Sequence, residues 1–293
     1  MPTFIHCRVC SGATTSPRTI SHGKLYLCPT CGTRFLEPSA TTAYDDRYYE
    51  SWFGEPGQNI QRLKGENFRR LLQHYPNPLP GKRLLDIGCA TGFLLQEASI
   101  QGARVAGIDV NIWATTQARK LLPEARIYTG TLHDSLAAGF FTPASFDIIT
   151  ATDVIEHVVE VKDFLGDILQ LLAPDGTALF TLPDPDSWSA RAMGTAWFQY
   201  KAEHVTYLTR KSLQILAAEL GFSIELLKPH RKVLTLEYIT NVLTYHNRGW
   251  VSKLGWLTGK VAKGCGLSRI PLPLGTGEML VKIRKQSARE RRP

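Results

Sequence analysis

Short apolar runs and helical stripes alternate along most of this chain. Leu84, Leu85 and Ile87 form a run suited to a strand buried on both faces. Gly88, Ala90 and Gly92 follow in alternation, and residues 93–100 carry a helical pattern. Residues 104–109 read as a second strand, followed by a helix through Leu122 and a third strand over 125–128. A fourth strand is expected over 145–150, a helix over 161–172, a turn at Pro174-Asp-Gly176 and a fifth strand over 177–182. Residues 222–227 and 277–283 read as the sixth and last strands. Upstream, Ile60, Leu63, Phe68, Leu71 and Leu72 mark one face of a helix that ends before Pro76. Strands alternating with helices predict an α/β fold, a seven-stranded doubly wound (Rossmann-like) sheet.

The first strand, small-residue turn and helix form a unit that brings backbone close to a nucleotide-like ligand and aims a helix N-terminus at it. The second strand ends in Asp109, 23 residues after Asp86, where an acid can accept both ribose hydroxyls of an adenosine. A dinucleotide fingerprint needs G-x-G-x-x-G to seat a pyrophosphate; this turn is G-x-A-x-G, preceded by Asp86. An acid there repels a pyrophosphate and suits the ammonium of a methionine moiety. The run Asp86, Gly88, Ala90, Gly92 resembles the D-x-G-x-G-x-G motif of class I S-adenosylmethionine-dependent methyltransferases, with Ala90 replacing the middle glycine.

The resemblance implies S-adenosyl-L-methionine as cofactor, with Val110 beside Asp109 in its site and an adenine clamp in the loop 129–134. In the family an acid often follows the glycine of that loop. Here Thr131 and Leu132 stand there, leaving Asp134, water or a backbone carbonyl for the adenine amine. Farther on, Glu156-His-Val158, Pro174-Asp-Gly176, Thr181-Leu-Pro-Asp184, Arg191 to Trp197, Glu203-His204 and Leu216 to Phe222 resemble the ubiquinone-biosynthesis O-methyltransferase branch in order and spacing. The likeness covers roughly residues 80–230, assigns Asp153 to the cofactor side and implies that the last strand pairs antiparallel with the sixth.

At 293 residues the chain has room for such a domain and a small appendage. Cys7-x-x-Cys10 and Cys28-x-x-Cys31 enclose 17 residues, a spacing that suits a four-thiolate zinc ribbon over 1–40. So short a segment has little core, and a structural zinc ion would supply the missing stability. Two disulfides are the alternative, and Cys89 reads as a buried structural thiol. An aromatic and acidic stretch from Tyr44 to Gly54 and the following helix make residues 41–80 a lid or linker to a core over 81–230. A helical cap is expected over 231–274, then the last strand and a basic, unstructured tail over 275–293.

The net charge of +8 changes the picture only for the C-terminal part. From Arg231 onward there are 13 Lys/Arg against 3 Asp/Glu, leaving 21 against 23 before it. Tryptophans among those lysines open the option of peripheral contact with a membrane surface. Without an 18-residue apolar run or a signal peptide, a cytoplasmic location is expected.

The cofactor's sulfonium methyl is already activated, so the protein must align a nucleophile and manage one proton. His157 and His204 fall beyond the strand ends, where an imidazole suits a proton acceptor at neutral pH. Asp153, Glu156 and His157 stand at i, i+3 and i+4; on a helical turn they would gather to hold Mg²⁺ or Mn²⁺. The alternative makes His157 the base alone, with Glu156 pairing locally. Methyl transfer to a hydroxyl of a quinone-like, sugar or lipid-linked small molecule is the leading expectation. The cysteine pairs also resemble those of zinc-bearing sugar C-methyltransferases, so carbon methylation stays open. An RNA methyltransferase that grips phosphates through the ribbon and tail, or a non-catalytic cofactor-binding module, are the other readings.

Overall fold

The structure, a computed structural model, describes residues 5–37, 58–75 and 79–286, apart from 238, 241–243, 245–249 and 269. The aromatic stretch 44–54, expected as a lid, and the tail from 287 lie outside the described residues.

Seven strands make the main sheet: β4 (Arg83–Ile87), β5 (Arg104–Asp109), β6 (Arg126–Thr129), β7 (Phe146–Thr152), β8 (Leu172–Pro183), β10 (Phe222–Thr235) and β11 (Pro271–Lys285). Their order is β10-β11-β8-β7-β4-β5-β6. The strands from β8 to β6 run parallel, and β11 lies antiparallel between β8 and β10. Leu84 and Leu85 are both fully buried but belong to different cores, one on each face of the sheet. One face is covered by helices α1 (Gln58–Leu72), α2 (Phe93–Ile100) and α3 (Ile112–Leu121). The short α4 (Leu132–Ala137), α5 (Val161–Leu171) and α7 (Arg210–Leu220) cover the other; α6 (Trp188–Met193) lies apart from both. The order of connection reverses at β4, with β5 and β6 added on one side and β7 and β8 on the other, so the ends of β4, β5 and β7 open a crevice at the switch point.

The C-terminal part differs from expectation. The sixth strand continues eight residues beyond Leu227, to Thr235, and its partner begins at Pro271, so the helical cap expected over 231–274 is shortened at both ends. The extra ladder carries Pro229, Pro271 and Pro273, with a register shift between His230 and Lys232. Prolines are tolerated there because β10 is an edge strand and the outer end of β11 has passed β8, whose pairing stops at Glu278. What is described of the cap includes α8 (Trp250–Gly264), on which Trp256, Leu257 and Val261 are exposed. Among the described residues no helix is long and apolar enough to cross a membrane.

A second sheet holds β1 (Arg18–Ile20), β2 (Gly23–Leu27), β3 (Arg34–Leu36) and β9 (Thr206–Tyr207), in that order. Its fourth strand comes from the far end of the main domain, 170 residues away.

Candidate active site

A cavity of about 2160 Å³ opens over the ends of β4, β5 and β7. Its first half is built by the glycine turn. Gly88 sits at φ 72°, and a Cβ there would meet Val154 Cγ2 at 2.5 Å. Ala90 takes a left-handed φ of 46°, and Gly92, at 87°, precedes α2. Asp109 holds this turn: its Oδ2 accepts the Ala90 N–H at 2.9 Å and its Oδ1 accepts the Asn111 N–H at 2.9 Å. Asp86 is 2 % exposed and accepts the Thr150 hydroxyl at 2.6 Å. Burial raises its carboxyl to about pH 7 against the opposing Thr150 hydroxyl, and Asp109 nearby adds to the rise. Such a group is poised to ionise against an incoming cation. Thr91 Oγ1 in the same turn is buried without a hydrogen-bond partner among the described residues.

Val110 is half exposed beside Asp109, and Thr131 and the buried Leu132 form the wall across the cavity from the turn. The Thr131 hydroxyl donates to Asp134 at 2.6 Å and accepts the Asp134 N–H at 3.1 Å, a capping box for α4. Asp134 is thus engaged in the start of α4 and is not among the residues that line the cavity.

The second half differs more from the sequence reading. Glu156 and His157 lie on a single 3₁₀ turn, Ile155–His157, but Asp153 precedes it in a left-handed conformation, φ 56°. The three side chains therefore do not share a helical face, and the metal triad Asp153–Glu156–His157 is not formed. Asp153 accepts the Thr181 hydroxyl at 3.0 Å and pairs with Lys232 of β10 at 2.7 Å. Lys232 also pairs with Glu278 of β11 at 2.8 Å, and Gln199 donates to that same carboxylate at 3.2 Å. The elongated hairpin thus supplies charged groups to the cavity that no local motif announced.

Asp153's expected place is taken by His204. Glu156, His157 and His204 each present a ligand atom within 4.8 Å of the others. His157 Nδ1 donates to the Glu203 carbonyl at 2.8 Å and His204 Nδ1 to the Gln199 carbonyl at 2.9 Å, with the rings edge to face. A carbonyl only accepts, so both rings carry hydrogen on Nδ1 and keep Nε2 as the basic nitrogen. Burial lowers both imidazoles below their ordinary range, and His204 goes further because the nearby His157 ring also disfavours its charge. Burial raises Glu156 well above the usual carboxylate range, and Asp153 adds to it. Glu156 Oε2 has no hydrogen-bond partner among the described residues. A buried carboxyl with one unpartnered oxygen beside two neutral imidazoles fits a proton or a divalent cation.

In the N-terminal sheet the four cysteines are unpaired, with Cys7 and Cys31 sulfurs 3.5 Å apart and Cys10 and Cys28 sulfurs 3.4 Å apart. All four converge within 4.8 Å, compatible with a small zinc site. Cys89 is buried behind the glycine turn and Cys265 is exposed.

An open, mostly parallel sheet with an antiparallel β11, two acids at adjacent strand ends and a glycine turn between them is a methyltransferase fold. Residues 36–227 match the family described as methyltransferase domain, and the chain belongs to that family. It is 34% identical over 103 residues to the mitochondrial ubiquinone biosynthesis O-methyltransferase of Schizosaccharomyces pombe, covering 34% of this chain and 37% of that one. The corresponding enzyme of Thiobacillus denitrificans is 28% identical over 180 residues, 56% of this chain and 77% of its own. The chain therefore spans between about a third and three quarters of these relatives. A SAM-dependent methyltransferase structure from Archaeoglobus fulgidus covers 83% of this chain and 100% of its own with a TM-score of 0.54 at 15% identity, a likeness of fold.

Proposed function

We propose that this enzyme methylates a hydroxyl of a small-molecule acceptor, and that the buried cluster of Glu156, His157 and His204 manages the hydroxyl proton. That cluster carries the reading: it faces the same cavity as the cofactor turn, and its residues hold proton-accepting atoms at neutral pH. S-adenosylmethionine fits the first half, with its ammonium on Asp86, its ribose hydroxyls on Asp109 and its adenine against the wall of Val110, Thr131 and Leu132. The acceptor then lies between the turn and the cluster. Its oxygen bonds to the methyl carbon as the carbon–sulfur bond breaks, and the proton passes to the His157 imidazole. The new imidazolium favours the ionised form of the neighbouring Glu156, which gives up its proton to solvent and then offsets that charge. The same three residues would hold a divalent cation, which supplies a lowered hydroxyl pKa and a fixed oxygen. The names of the curated relatives support oxygen as the methylated atom.

The cysteine cluster fits a structural zinc ion, and elemental analysis should find one zinc per chain. The deciding experiment for function supplies isotopically labelled cofactor to a cell extract that contains both small molecules and RNA. A product heavier by one labelled methyl, absent with Glu156→Gln, supports the reading. Label transferred only to RNA would replace it.

A further inference from the structure

We infer that the N-terminal cysteine-bearing sheet is a positioning element of the acceptor site, built in through Val205 and Arg34. The inference rests on the reading of Glu156, His157 and His204 as that site.

The connection runs through one peptide. The Val205 carbonyl accepts the Leu36 N–H of β3 at 3.1 Å, and the Val205 N–H donates to the Glu156 carbonyl at 2.8 Å. Val205 thus spans the gap between the N-terminal sheet and the turn that carries Glu156 and His157, and it directly follows His204. One residue on, the Thr206 hydroxyl donates to the Val158 carbonyl at 2.9 Å while its backbone pairs with Phe35. Tyr207, paired with Arg34 across β3 and β9, donates its hydroxyl at 3.0 Å to the Gln199 carbonyl. That is the carbonyl which orients His204. Arg34 reaches the other side of this loop, donating to the Tyr200 hydroxyl at 2.8 Å and pairing with Asp186 at 3.4 Å.

Packing joins the same parts. Leu25 and Leu36 of the N-terminal sheet share one core with Trp197, Tyr200 and Tyr207. The Cys31 carbonyl accepts the hydroxyl of Thr209, the N-cap of α7, at 2.7 Å. A segment of two paired residues has little stability of its own, so β9 relies on β3 as well as on its bonds to Glu156 and Val158. The orientation of His204, and the backbone that presents Glu156, therefore depend on the fold of a sheet that touches neither cofactor nor acceptor. Zinc in the cysteine cluster would act on methyl transfer at a distance, by holding β3.

Hydrogen exchange read by mass spectrometry on the whole chain tests this. Arg34→Met leaves every cysteine in place and removes one clamp; Cys28→Ser loosens the cluster itself. In both, exchange at 155–158 and 199–209 should rise about tenfold while 83–109 stays as in the wild type. In protein carrying isotope-labelled histidine, the slowly exchanging ring N–H signals of His157 and His204 should be lost in the same variants. Thr209→Val should behave likewise and Thr209→Ser should restore protection, since serine keeps the hydroxyl. Rises confined to residues 5–37, with both ring signals kept, would overturn the inference. S-adenosylhomocysteine calorimetry on the wild type separates the two levels: absence of binding there would overturn the cofactor assignment, while the exchange comparison remains readable without ligand.

Discussion

Asp109 holds Ala90 in place: the carboxylate of one accepts the backbone N–H of the other at 2.9 Å, across the turn from β4. This bond fastens the left-handed residue at the centre of the turn and turns the same carboxylate toward the cavity. Asp109→Ala removes the anchor together with the proposed ribose contact. Charge-assisted hydrogen bonds of ~1.5–3 kcal/mol correspond to about ten- to a hundredfold in S-adenosylhomocysteine affinity. Calorimetry on the folded variant checks it, and an unchanged affinity would remove Asp109 from the site.

Asp86 makes cofactor binding depend on pH. Its carboxyl is raised by burial to about 7, and only the ionised form attracts the cofactor's ammonium. Affinity should therefore climb from about pH 5 to about pH 7, by at most about tenfold per pH unit, and then level off. Binding near neutrality should release a proton, visible as a dependence of the measured heat on buffer. The sign for the ligand-free fold is opposite: a raised carboxyl favours folding while protonated, and that contribution is lost as pH rises through about 7. Asp86→Asn should flatten the binding profile; an unaltered slope would assign it to another group.

Gly88→Ala places a Cβ 2.5 Å from Val154 Cγ2 at a backbone φ of 72°. Overpacking and left-handed strain together should cost about 1–3 kcal/mol in unfolding experiments. Adding Val154→Ala should recover the overpacking part alone. Recovery of full stability would show that the backbone conformation costs nothing here.

Glu156→Gln should cut turnover about a hundredfold or more while leaving S-adenosylhomocysteine affinity intact, because the carboxyl lies outside the cofactor half. With the cation reading of the cluster, EDTA abolishes turnover and Mn²⁺ or Mg²⁺ restores it. Full activity in EDTA would eliminate the cation and require His157→Ala to be the crippling change.

Local pattern was enough to place the glycine turn between β4 and α2. Leu84, Leu85 and Ile87 announce a strand through their own burial, and Gly88, Ala90 and Gly92 announce the turn through the conformations they permit. The two cysteine pairs are equally local, because a four-sulfur cluster sets the spacing within each pair. The cluster of Glu156, His157 and His204 was decided by tertiary structure. Spacing alone grouped Asp153 with Glu156 and His157, but a left-handed residue at the end of β7 sends Asp153 to Lys232, 79 positions away. His204 joins Glu156 because β9 is pinned between Val158 and the N-terminal sheet. Strand β9 is two residues long, too short to show a period, and its pairing with β3 spans most of the chain. A contact between segments that far apart leaves no mark on the sequence around either one.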